Sequence, residues 1–190
     1  MPSQATTEAC LRCVDHFLRK TRLRHFILVG HSIAGFWLPA VSHNYADRIH
    51  ETIFLAAAVL APGERGIDVI PKNRRSAYQA ARRSREPRLS LRWSEARRRL
   101  FNDLPLAHAR AAFSRLTPQS LLPYLTTAVI DPAALPGRKR YLLCRKDATF
   151  PPLLARTFAA KLNVVPEEVD AGHDVMLSRP RLLAEHLLRA

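Results

Sequence analysis

The feature that most limits what this chain can become is the stretch "HFILVG", residues 25–30. Residues 26–29 are consecutive apolar side chains, and a glycine ends the run. A strand with one wet face alternates apolar and polar residues, because successive side chains point to opposite sides. A strand without alternation is buried on both faces, as in the interior of a parallel sheet. A second such run, at about residues 52–59 in "RIHETIFLAAAVLAP", follows a helical stretch at about 33–43. Strand, helix and strand at this spacing make a βαβ unit with a right-handed crossover.

The rest of the chain extends that architecture. Residues 6–20, "TTEACLRCVDHFLRK", place Ala9, Cys10, Cys13, Val14 and Phe17 at helical spacing ahead of the first strand. "GRKRYLLCRKD" gives a third strand at about 140–145, "ATFPPLLARTFAAKL" a helix and "NVVPEEVDAG" a short fourth strand. "SRPRLLAEHLLRA" closes the chain as a helix, with Ser178 placed to N-cap it and Pro180 in its first turn. Between these parts, from Pro62 to Pro123, Arg-rich helical segments are broken by Pro71, Pro87, Pro105 and Pro118, and no strand-like run occurs. The segment reads as a helical insertion rather than a linker, because apolar residues recur through it. The expected organisation is a core from residues 1–62 and 124–190, with a helical cap inserted at 63–123. A chain of 190 residues holds one domain with a real core.

Composition removes several function classes. No apolar run reaches the ~20 residues that span a bilayer. "MPSQATTEAC" lacks the basic and apolar regions of a signal peptide, which points to a cytoplasmic protein. Three cysteines, Cys10, Cys13 and Cys144, do not make a disulfide framework. "CLRC" has the spacing of a redox motif but no strand before it, so two small residues one helical turn apart is the better reading. No His/Cys cluster suggests a metal, and no cofactor is implied. The net charge of +14 raises the question of an anionic partner. Twelve Lys or Arg stand against three acids within residues 65–99. A solvated helical face accounts for them, and sparse aromatics there (Tyr78, Trp93) argue against single-strand stacking or specific nucleic-acid binding.

The chemistry sits at the end of the first strand. In "VGHSIAG", Gly30-His31-Ser32-Ile33-Ala34 follows a strand and opens a helix, which is the setting of a G-x-S-x-G nucleophile elbow. The strained turn needs small neighbours, and Gly30, Ala34 and Gly35 provide them. The turn aims the Ile33 amide at an oxyanion beside Ser32. Strand-Gly-x-Ser-helix also occurs by chance, so the elbow needs partners elsewhere. In this arrangement the order is Ser, acid, His, each just past a strand end. The third strand ends in "CRKDATF", which places Asp147 in a loop, and the fourth in "VDAGHDVML", which places His173 in another. Asp147 alone is also a common turn residue, and His173 alone an ordinary loop histidine. His16, His25, His31, His43, His50, His108 and His186 fall within helix or strand readings or on polar faces, and Asp170 and Asp174 are too near His173 to orient it from a separate loop.

Through "ILVGHSIAG", "YLLCRKDATF" and "DAGHDVMLSRPRLLAEHLL", the chain resembles the α/β-hydrolase superfamily. Within it, the likeness is to the esterase and hydroxynitrile-lyase-like group of plant methyl-ester esterases and bacterial relatives, over about residues 8–190. "FNDLPLAHARAAFSRLTPQSLLPY" resembles that group's cap and its return to the sheet. The resemblance implies a partial α/β-hydrolase fold, a mostly parallel sheet flanked by helices, with a helical cap. It implies Ser32 as nucleophile, Asp147 as acid, His173 as base and the Ile33 amide as an oxyanion donor.

Members of the group carry further strands before the part matching residues 6–20. One of them leads into a loop, often with an H-G motif, that supplies a second oxyanion donor. At about 30 residues per strand-helix unit, the resemblance leaves about 50–80 residues unaccounted for, and the expectation is a true start upstream of Met1. "HFILVG" then becomes an open sheet edge, where a second copy of the chain could pair as a homodimer. The expected function is cleavage of a small carboxylic ester through an acyl-enzyme. The alternative is an impaired, truncated hydrolase-fold protein that holds a small ligand without turnover. Lyase chemistry ranks lower, because the lysine that such lyases add is not identified here.

Overall fold

The computed structural model describes residues 5–71, 74–83, 85 and 87–189. Helix α1 (Thr7–Thr21) starts where Thr6 Oγ1 accepts from the Ala9 N–H at 3.1 Å, and it stops at Arg22 in the left-handed region. Its expected apolar stripe is displaced. Leu18 and Thr7 are buried, whereas Cys13 and Phe17 are exposed. Cys10 and Cys13 are both free thiols on this helix.

Strand β1 (Phe26–His31) leads into a 3₁₀ turn (Ser32–Phe36) and then helix α2 (Leu38–Asn44), so the single helix expected at 33–43 is split at Trp37. Strand β2 (Ile49–Leu55) begins and ends earlier than its apolar run suggests. Residues 56–60 are buried but leave the sheet, and the Ala58 N–H bonds the Ser32 carbonyl at 3.1 Å instead of a neighbouring strand.

The segment expected to be wholly helical holds α3 (Arg75–Arg82), α4 (Trp93–Arg99) and α5 (Leu106–Phe113). It also holds two strands, β3 (Arg88–Leu89) and β4 (Gln119–Ser120), paired antiparallel. Strands of two residues are too short to carry any periodicity. Strand β5 (Arg138–Cys144), helix α6 (Pro152–Ala160), strand β6 (Glu167–Val169) and helices α7 (Val175–Ser178) and α8 (Pro180–Leu187) complete the described chain. Ser178 is not the cap of α8. It is the last residue of α7, its hydroxyl is buried without a hydrogen-bond partner, and Arg179 takes the cap position.

The main sheet runs β1-β2-β5-β6, all parallel. Its two faces carry separate cores, as a parallel sheet requires. Phe54, Tyr141 and Leu143 pack on one side with Leu38 and Phe158; Ile53, Leu142 and Cys144 pack on the other with Val169 and Val175. Alternate residues of the same strands thus serve opposite cores, which is why the sequence runs show no polar alternation. The buried acid Glu51 interrupts the pattern. It faces Arg140 (3.1 Å), which also binds Glu167 and the His186 carbonyl, so one charged network ties β2, β5, β6 and α8 together. Among the described residues β1 is paired only with β2, and Val29 on it is exposed. No described helix is long and apolar enough to cross a membrane.

Candidate active site

Three strand ends of this sheet meet at one point. β1 ends at the turn that carries Ser32, whose φ of 56° lies in the left-handed region that side chains avoid. The turn closes only because its neighbours are small. A Cβ on Gly30 would fall 2.7 Å from Leu38 Cδ2, and one on Gly35 would fall 2.0 Å from the Ala58 carbonyl oxygen. Ala34 fills the position where the pattern has glycine. Ile33 follows in the first turn of the 3₁₀ segment, where an N–H has no acceptor within its own helix.

Asp147 follows β5. Its Oδ1 accepts from the Thr149 N–H (2.6 Å) and the Phe150 N–H (2.9 Å), which leaves Oδ2 for His173 Nδ1 at 2.7 Å. His173 follows β6 and is almost fully buried. With Nδ1–H donating to the carboxylate, Nε2 is the acceptor, and the Ser32 hydroxyl stands 2.9 Å from it. The structure therefore brings together the three residues that sequence order singled out. Phe150 covers the imidazole edge-on at 5.7 Å between centroids.

Three residues at the site make contacts that the sequence did not signal: His31, already placed in the elbow, and the loop residues Asn102 and Asp103. His31 Nε2 donates to the His173 carbonyl at 3.0 Å. Burial, reinforced by the nearby His173, lowers the His31 pKa to about 4, so this ring is neutral and the donor is available. Asn102 and Asp103, between α4 and α5, reach back to the sheet. Asp103 Oδ2 accepts from the Gly172 N–H (2.6 Å), and Asn102 Nδ2 donates to the Lys146 carbonyl (2.7 Å). The two loops that bear Asp147 and His173 are thereby fastened to the inserted segment. These residues are ordinary loop polars in the sequence, and only the tertiary contact distinguishes them.

Asp174 lies beside His173 but makes no bond to it. Burial raises its carboxyl pKa to about 6, partly offset by His173 and reinforced by Asp147 and Asp103. A carboxyl whose folded pKa lies above its unfolded value takes stability away as pH rises. The loss begins near the unfolded value of 3.8 and is complete above about 6. Asp174→Asn is therefore expected to raise unfolding free energy by about 2–3 kcal/mol at pH 7.5 and by nothing below pH 4. Urea midpoints of both proteins at the two pH values check this, and an equal shift at both would refute the titration account.

Ser32 and His173 open onto a cavity of about 750 Å³. Its walls come mostly from residues 63–123, including Tyr78, Leu89 and Leu116, with Ile33 and Phe150 from the strand ends.

The sequence model described as the alpha/beta hydrolase family matches residues 2–186. No curated protein matches the chain in sequence. Among solved structures, one similar fold is an extracellular alpha/beta-hydrolase from a Paenibacillus species, described as sharing structural and functional homology with tobacco salicylic acid binding protein 2. It is 23% identical with a TM-score of 0.86, over 96% of this chain and 78% of that one. A methylesterase from Arabidopsis is 21% identical with a TM-score of 0.73, over 97% and 77%. A pyrethroid hydrolase from Sphingobium faniae is 21% identical with a TM-score of 0.73, over 96% and 76%. At these identities the likeness is one of fold.

Proposed function

Because the chain belongs to the alpha/beta hydrolase family, we propose that it cleaves carboxylic esters through an acyl-enzyme formed on Ser32. The observation that carries this reading is the unbroken chain of hydrogen bonds from Asp147 through His173 to Ser32 at 2.7 and 2.9 Å. Ser32 Oγ attacks the ester carbonyl while His173 Nε2 takes its proton. Asp147 holds the imidazole in the tautomer that can accept and stabilises the imidazolium that forms. The Ile33 N–H supports the oxyanion. His173 then protonates the departing alcohol, and water, deprotonated by the same nitrogen, releases the acid. The segment 63–123 roofs the cavity and selects the substrate, which is consistent with the cavity walls it supplies. The names of the structural neighbours, two of them a methylesterase and a pyrethroid hydrolase, favour esters over amides.

A fluorophosphonate probe tests the reading. Folded protein is expected to take up one phosphonyl group, located on Ser32 by peptide mass spectrometry. Folded protein that stays unlabelled would favour the alternative, a fold that holds a small ligand without turnover.

A further inference from the structure

One wall of the cavity beside Ser32 is cationic in a way that ester cleavage does not use. Arg74, just ahead of α3, and Arg99, at the end of α4, both line it and both are half-buried. Both residues contact Thr149, two residues beyond Asp147, Arg74 through its guanidinium and Arg99 through its backbone carbonyl. Arg74 Nη2 donates to the Thr149 carbonyl at 2.5 Å, and Thr149 Oγ1 donates to the Arg99 carbonyl at 3.0 Å. Arg99 Nε is buried with no hydrogen-bond partner among the described residues. Burial, then repulsion from Arg99, holds Arg74 below the usual arginine range.

Among the described residues, no carboxylate is hydrogen-bonded to either guanidinium. Glu95 lines the cavity, but its Oε2 accepts from the Arg92 N–H of its own helix at 3.1 Å. Asp147 attracts Arg74 from a distance, yet its oxygens are taken by His173 and by the Thr149 and Phe150 amides. Two neighbouring guanidinium groups, partly stripped of water and with no carboxylate bonded to them among the described residues, cost free energy that a bound anion would offset. A guanidinium fits a carboxylate in a planar, two-bond geometry.

We infer that Arg74 and Arg99 form a specificity site for a free carboxylate on the substrate, so that the preferred ester is the half-ester of a dicarboxylic acid. The inference rests on the hydrolase reading of the same cavity. The esterified carboxyl meets Ser32 while the free one lies against the arginines. Water then adds across the acyl–oxygen bond to give the alcohol and the dicarboxylate.

Monomethyl and dimethyl adipate, which differ only in that charge, make the test through methanol release. The wild-type protein is expected to show the higher kcat/KM on the monomethyl ester. Arg99→Gln is expected to lower the ratio of kcat/KM for monomethyl to dimethyl ester about 10–100-fold, mainly through KM, and Arg99→Lys to restore part of it. A folded Arg99→Gln protein, with the thermal midpoint of the wild type, whose ratio is unchanged would overturn the assignment. So would a wild-type preference for the dimethyl ester, a result that requires no variant. Calorimetry with adipate on Ser32→Ala separates the two readings. Adipate binding that Arg99→Gln abolishes, with neither ester turned over by the wild type, leaves the anion site standing and removes the hydrolase. Turnover of the dimethyl ester without adipate binding removes the anion site alone.

Discussion

Ser32→Ala lowers the rate of ester hydrolysis about 10⁶-fold, the expected cost of deleting the nucleophile from such a constellation. The magnitude follows from what each group does. On the proposed mechanism Ser32 Oγ forms and breaks the covalent bond, so no neighbour substitutes for it. Asp147→Asn leaves every bond length nearly the same and still costs about 10⁴-fold, because an amide does not hold His173 in the accepting tautomer. The two losses do not add in the double variant, because the residues act as one unit. KM on the same substrate changes little, since the cavity walls are untouched. Alanine at position 32 keeps the fold, which the thermal midpoint confirms alongside the rate. Hydrolysis by Ser32→Ala within tenfold of the wild type would place the chemistry elsewhere in the molecule.

The second large effect is one of stability. Gly35→Ala adds a single methyl, and that methyl would lie 2.0 Å from the Ala58 carbonyl oxygen and 3.2 Å from Ala57 Cβ. The first obstacle is backbone, so no side chain can turn aside to make room. The turn must move off the segment that follows β2, and the bond from the Ala58 N–H to the Ser32 carbonyl at 3.1 Å is lost with it. The expected cost exceeds about 3 kcal/mol, among the larger effects of a single substitution. For a domain of this size that lowers Tm by about 6–12 °C or more. Ala34→Gly, one residue earlier, is the control. It costs no more than about 1 kcal/mol, the propensity difference alone. A Gly35→Ala protein that melts within 3 °C of the wild type, a shift of about 1 kcal/mol, would mean that the strand-to-turn contact is looser than described.

The contrast at 34 and 35 shows what kind of information the sequence held. "GHSIAG" was legible as an elbow because its demands are local: small residues around a left-handed serine. It did not show which small residue is indispensable, since that depends on the end of β2, more than twenty residues later. Asp147 and His173 were legible because strand ends can be read from where apolar runs stop. The runs themselves reported burial rather than pairing. Residues 56–60 are as buried as β2 but bond to the turn instead of a strand, so the sequence reading carried the strand too far. On α1, helical spacing predicted a stripe through Cys13 and Phe17, but the helix rests on the body along Thr7 and Leu18, and spacing alone does not choose between adjacent stripes. Glu51, Asn102 and Asp103 gave no signal, because each matters through a partner distant in sequence. The arginines of residues 65–99 read as a solvated face; Arg74 and Arg99 instead reach the cavity wall, an arrangement set by how the inserted segment folds over the sheet.

That segment has a divided allegiance. Its helices line the cavity beside Ser32, while Asn102 and Asp103 clamp the loops that hold Asp147 and His173. In many scaffolds, the parts that choose a ligand can drift while the reacting groups stay fixed. Here a change of appetite and a change of speed are written in the same stretch of chain. On the proposed esterase reading, a substitution that re-cuts the cavity walls also bears on the loop of His173, so "ND" has to stay fixed while the helices on either side are remodelled. On that reading, room for change lies in α3 and the first turn of α4, away from the short connection between α4 and α5.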